Sequence, residues 1–164
     1  MKEIPVYQFK KVVTQTKVDD SDFEFLSKHK WRIHKLKYTS YARTTCHVSY
    51  GKTYTLYLHQ LLMKPPEGFI TDHIDRDGLN NQRSNLRLAT RSQNKANQKK
   101  HWKGTSKYKG VSWCSRDKVW TVRIKCTSKT INLGNFKDEI EAAKAYDIAA
   151  ISFFKEFANL NFKE

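Results

Sequence analysis

Asp72 and His73 stand side by side, and Asn85 and Asn94 follow at 13 and 22 residues from Asp72. These residue types could together hydrolyse a phosphodiester. That reaction needs a base to take a proton from water, and an imidazole titrates near neutrality. It also needs a hard cation on the scissile phosphate, and such a cation takes oxygen ligands. His73 suits the first task, and the Asp72 carboxylate with the Asn94 amide suits the second. The Asn85 amide can hold the second ring nitrogen of His73. Taken singly, each residue has a plainer reading: Asp72 as a turn cap, His73 as a hydrogen-bonded core histidine, the two asparagines as turn or cap residues. It is the set taken together that offers the parts of a catalytic site.

Several elements must bring the set together. Neighbouring strand positions face opposite sides, so a strand must bend or end at Asp72-His73 for both to serve one site. MKPPEGF before the pair is a turn-forming stretch. DRDGLNNQRSN after it reads as a tight loop in which Asp75 and Asp77 are turn residues, and LRLATRSQNKAN reads as a helix. Asn80, Asn81 and Asn97 read as loop or helix-end amides. Upstream, residues 1–62 read as short strands, with YARTTCHVSYGKTYTLYLHQL rich in Tyr, Thr and Val. His59 falls on that strand-like run, as a structural residue or as one that touches the site, and VDDSDFEFLSKHKW reads as a short helix. Residues 99–107, KKHWKGTSK, form a basic linker or helix end, where His101 beside Trp102 reads as a linker or DNA-facing residue. YKGVSWCSR, KVWTVRIKC and KTINLGNF then give three strands, and DEIEAAKAYDIAAISFF a helix of about four turns with Asp138 and Glu139 at its favourable end.

The charge balance supplies a partner. The chain has 164 residues, with 31 Lys and Arg against 16 Asp and Glu, a net charge of +15. No acid lies between Asp77 and Asp117, a stretch with ten Lys and Arg together with Trp102, Tyr108 and Trp113. A nucleic-acid backbone is the polyanion this pattern fits. The three cysteines, Cys46, Cys114 and Cys126, include no CxxC pair, which argues against a disulfide framework and against structural zinc. No apolar run approaches the roughly 20 residues of a membrane span, and MKEIPVYQFKK lacks the apolar core of a signal peptide. No membrane partner and a reducing, cytoplasmic setting are expected.

Residues 56–98 resemble the HNH homing endonucleases, whose catalytic unit is a ββα-metal fold. The resemblance rests on the His-containing LYLHQLLM run before the Pro-rich turn, the DHIDRDG turn, the SNLRLAT run and the closing Asn94. It extends upstream through VDDSDFEFL, Trp31, Tyr41-Ala42 and LHQLL to the N-terminal region of phage-type enzymes. It implies that His73 is the general base and that Asp72 and Asn94 hold one divalent ion, Mg²⁺ or Mn²⁺. It implies that Asn85 orients His73 or stabilises the loop.

Tyr108–Phe162 resembles a second family, the Apetala-two or ethylene-response-factor DNA-binding domain of plants. The shared features are YKGV at the start, Trp120 in the second strand, LGNF, the helical AAKAYDIAA and the closing Asn161-Phe162. This resemblance implies a three-stranded sheet in the DNA major groove, with Ser112, Trp113, Arg116, Trp120, Arg123, Lys125 and Asn132 as contact candidates. Core packing is the alternative for the two tryptophans. Ser112 and Asn132 depart from the plant pattern, so the plant target sequence does not carry over.

Together these readings give an α+β chain. A nuclease domain occupies residues 1–98, a basic linker 99–107, and a domain of three antiparallel strands packed on one helix 108–164. Arg87, Arg91, Lys95, Lys99, Lys100 and Lys103 are further DNA-contact candidates. The expected activity is metal-dependent cleavage of double-stranded DNA by a phage-encoded or mobile-element enzyme in a bacterial host. The rival is a DNA-binding regulator with an inactive nuclease unit. An RNA-binding protein is a weaker third, because the sheet lacks the paired aromatic platform of common RNA modules.

Overall fold

The computed structural model describes residues 1–47, 51–100, 104–127 and 129–162. It divides into two compact units, Met1–Ala89 and Thr90–Glu164. Among the described residues no helix is long and apolar enough to cross a membrane.

The first unit is built on a five-stranded sheet. Strands β1 (Lys2–Gln8) and β2 (Lys11–Val18) form a hairpin, helix α1 (Asp20–Ser27) crosses over, and β3 (Trp31–Lys35), β4 (Ser40–His47) and β5 (Thr53–Tyr57) complete the order β2-β1-β3-β4-β5. Only the β1–β3 pair is parallel, as the intervening crossover requires. The core gathers Ile4, Val6, Val18, Leu26, Trp31, Ala42, Leu58, Leu62 and Leu86. Trp31 is fully buried, so its indole N–H needs an internal partner, and it donates to the Leu26 carbonyl at 2.9 Å.

Two expectations change in this unit. The run containing His59 is not a strand. Helix α2 (Leu58–Met63) starts directly after β5, burying Leu58, His59 and Leu62. Lys64 closes the helix at φ 43° before Pro65 and Pro66 prevent its continuation. LRLATRSQNKAN is likewise not one helix. Leu86–Ala89 is strand β7, paired antiparallel with β6 (Ile70–His73). Helix α3 starts only at Arg91, where Thr90 and Gln93 form a reciprocal capping box. Cross-strand pairing and a strong cap override the helical pattern of the segment.

The second unit contains α3 (Arg91–Asn97), the antiparallel sheet β8 (Val111–Cys114), β9 (Val119–Cys126) and β10 (Lys129–Phe136) in the order β10-β9-β8, and helix α4 (Glu139–Phe154). Asp138 caps α4, accepting from the Ile140 and Glu141 amides. The small face of the helix, with Ala142, Ala143 and Ala150 buried, lies against a sheet that buries Val111, Val122 and Ile124. Gly110 sits at φ 80°, and a Cβ there would fall 1.9 Å from the Tyr146 ring, so the YKGV glycine is required on both counts. Asp147, buried on α4, accepts from the Asn161 and Phe162 amides and from the Asn161 side chain. The Lys109 amide donates to Asn161. The AYD and closing NF motifs are therefore a single clasp joining the two ends of this fold.

Candidate active site

Asp72 and His73 are the last two residues of β6, and both are buried, at 4% and 5% exposure. They close the strand, and both keep a partner in its ladder. In the β6–β7 register Asp72 lies opposite Arg87 and His73 opposite Leu86. Arg87 donates from Nε to the Asp72 Oδ2 at 2.9 Å. Arg87, expected to contact DNA, is thus placed against the candidate metal ligand, with its side chain only 15% exposed.

The loop between β6 and β7 is held by its own polar groups. Asp75 accepts from the Asp77 amide, from Asn80 Nδ2 and from Asn85 Nδ2. Burial raises the Asp75 carboxyl, but these hydrogen bonds outweigh it and hold the group below its ordinary range. Asp77 accepts from the Leu79 amide. Asn85 Oδ1 accepts from the Asp75 amide, and its Nδ2 also donates to the Asn80 carbonyl. Gly78 lets the loop run close beneath Tyr41, whose ring a Cβ would meet at 2.5 Å. Asn85 is therefore hydrogen-bonded within the loop, to Asp75 and Asn80. The partner of His73 Nε2 is Asn81 Oδ1, at 3.1 Å.

Asn81 is the residue the sequence reading passed over as one more loop amide. Its neighbour in the structure is Thr16, 65 positions away, so no local pattern marks it. A second long-range tie also escaped that reading. Asp19 and Asp22, at the start of α1, bind the Arg83 amide and guanidinium and fasten the segment that leads to Asn85.

The surroundings of His73 are aromatic. Its ring lies 5.1 Å from His59, edge-on, and 5.8 Å from Tyr41. Burial lowers the His73 pKa, and Asn81 and the nearby carboxylates only partly offset this. The ring is therefore neutral near pH 7, as a base must be.

Asn94 lies half-buried on α3, in the second unit. The donors that suit a hard ion are the Asp72 carboxylate and the Asn94 amide, both oxygen groups. Oxygen donors of this kind are the ones that Mg²⁺ or Mn²⁺ takes. Among the described residues no group of three or more His, Cys, Asp or Glu is placed to bind a metal.

The basic candidates separate. Arg91 and Lys95 are exposed one turn apart on α3, and Lys99 is exposed beyond it. Lys100 turns inward to the Ser106 carbonyl. Lys103, His101 and Trp102 lie outside the described residues. On the three-stranded sheet, cross-strand partners share a face. The register pairs Trp113 with Trp120 and Val111 with Val122. Both indoles, 5.0 Å apart and edge-to-face, therefore lie on the helix-side face with Val122 and Ile124. The opposite face carries Ser112, Arg123, Lys125 and Asn132, all exposed. Arg116 is exposed in the β8–β9 turn and paired with Asp117.

Comparison with known proteins bears on both units. Residues 64–96 match the HNH endonuclease family. An uncharacterized HNH endonuclease of Acanthamoeba polyphaga mimivirus is 36% identical over 144 residues, spanning 83% of this chain and 68% of the relative. Protein 3.8 of Escherichia phage T7 is 37% identical over 67 residues, 41% of this chain and 55% of the relative.

Proposed function

This chain belongs to the HNH endonuclease family, and on that premise we propose that it hydrolyses phosphodiester bonds of double-stranded DNA in a metal-dependent reaction. The observation that carries the proposal is the buried Asp72-His73 pair at the end of β6, inside the segment that matches the family. His73, neutral and fixed, takes a proton from the attacking water. Asp72 and Asn94 hold one divalent ion, Mg²⁺ or Mn²⁺, and Asn85 keeps the loop in shape. When bound, the ion supplies charge stabilisation at the phosphate and the leaving oxygen.

We further propose that the nuclease function runs through residue 98. The unit formed by β8–β10 and α4 is an Apetala-two-like DNA reader, presenting Ser112, Arg123, Lys125 and Asn132, with Arg116 at its rim. The shape of that unit, the motif clasp and the exposed basic face support this reading. Arg91, Lys95 and Lys99 add backbone affinity. The relatives from mimivirus and phage T7 support a virus- or phage-encoded enzyme, and a homing role in the host cytoplasm is proposed with it.

The test is nicking of a supercoiled library of the source genome in Mg²⁺ at low salt, with wild type set against His73→Ala. Cleavage by wild type alone, with equal DNA binding by both, is the expected result. Binding without cleavage by wild type would favour the regulator reading.

A further inference from the structure

We propose that Asn81 is the positioning residue of the His73 base, and that Thr16 on the β1–β2 hairpin sets the direction in which the Asn81 amide points. This deepens the nuclease reading above and rests on it for its catalytic meaning.

Asn81 is 1% exposed and Thr16 is fully buried, so their polar atoms must be satisfied inside the protein. Thr16 has one hydroxyl hydrogen, and it goes to the Leu79 carbonyl at 2.7 Å. Toward Asn81 the Thr16 oxygen can therefore only accept. The group facing it at 2.7 Å must be the Asn81 NH₂. The same NH₂ reaches the Gly78 carbonyl at 3.3 Å, another pure acceptor. Two acceptors on one side fix the amide, so its carbonyl oxygen faces His73. An amide oxygen cannot donate. His73 Nε2, at 3.1 Å from it, must carry the ring hydrogen, and in the neutral ring the lone pair then lies on Nδ1.

The chain Leu79 carbonyl, Thr16 hydroxyl, Asn81 amide and His73 ring thus selects which nitrogen accepts a proton. The backbone holds this chain in register, since the Lys17 amide donates to the Leu79 carbonyl and the Asn81 amide to the Lys17 carbonyl. The β1–β2 hairpin, far from the motif in sequence, is in this way part of the catalytic apparatus. Asn85 cannot do the same work, because its amide is committed to Asp75 and Asn80.

The test reads the tautomer directly. Long-range ¹H–¹⁵N correlation spectra of the full-length protein, at one fixed pH where the ring is neutral, distinguish Nε2–H from Nδ1–H, and a His73→Gln variant assigns the signal. Wild type is expected to show the Nε2–H form. Asn81→Leu should populate both forms and lower kcat by roughly 10- to 100-fold with KM for DNA unchanged. A folded Asn81→Leu protein with the wild-type tautomer overturns the proposal, whatever its activity. If that variant does not fold, Thr16→Val against Thr16→Ser decides. A mixed tautomer in the valine variant alone supports the chain of bonds, and an unchanged tautomer in both refutes it. Failure of the nuclease reading shows separately, as wild-type cleavage by His73→Ala.

Discussion

Replacing His59 by Phe should remove much of the acid sensitivity of the first unit. His59 is 9% exposed, stacked on Tyr57 at 5.5 Å and packed against Tyr41 and His73. Its Nδ1 is buried with no hydrogen-bond partner among the described residues. Burial, with a smaller contribution from His73, pushes its pKa down to about 3, against about 6.5 in an unfolded chain. Between those values the unfolded chain binds a proton that the folded chain refuses, so stability rises with pH across the window. The contribution is fully present above about pH 6.5 and is lost as pH falls. From pH 7 to pH 5 the loss is ~2 kcal/mol, and each further unit removes ~1.4 kcal/mol until about pH 3. His73, lowered in the same direction, adds to the slope in both proteins. His59→Phe keeps a ring in the stack and removes the proton site. Native-state hydrogen exchange of the β1–β5 amides is the suitable assay, because a single melting curve would merge the two units. The variant should lose ~2 kcal/mol less than wild type between pH 7 and pH 5. Equal losses would refute the idea that this histidine is held neutral by burial.

Three further outcomes follow from the second unit. Asp147→Ala removes the acceptor of two amides and one side-chain NH₂; at ~1.5–3 kcal/mol per bond to a charged acceptor and incomplete additivity, a loss of ~3 kcal/mol is expected in native-state hydrogen exchange of the β8–β10 amides, and a loss below ~1 kcal/mol would contradict the clasp. Gly110→Ala forces a Cβ into Tyr146 at a positive φ and should lower stability by ~2–4 kcal/mol, seen as early loss of β9 amide protection. Arg123→Ala with Lys125→Ala, both exposed on the open face, should leave stability within ~0.5 kcal/mol. That pair should reduce the salt dependence of duplex binding by about two phosphate contacts, and an unchanged slope would remove this face from the interface.

Legibility in the sequence followed the range of the interactions. The three strands and helix of the second unit were readable because turn residues, strand composition and an acidic helix start act locally. The Asp72-His73 pair was readable because hydrolysis demands particular side chains. The SNLRLAT run was misread because its strand exists only through pairing with β6, where Asp72 meets Arg87 and His73 meets Leu86. The His59 run was misread because a helix of one and a half turns is held by burial of Leu58 and Leu62, not by an intrinsic preference. The meeting of Trp113 with Trp120 depended on the pairing register between β8 and β9, which alternation within one strand does not specify.

The sequence by itself determined the chemistry available: a base, oxygen donors for a hard ion, a strongly basic surface and a small α+β unit with its own turn and cap signals. Tertiary structure decided which groups meet. It set Arg87 against Asp72, gave Asn85 to the loop, and brought Thr16 and Asn81 together beside His73. Side-chain type is a local property of the chain. Hydrogen-bond partnership across 65 residues is set by packing of a common core, and the direction of a buried amide follows only once its donors and acceptors are in place.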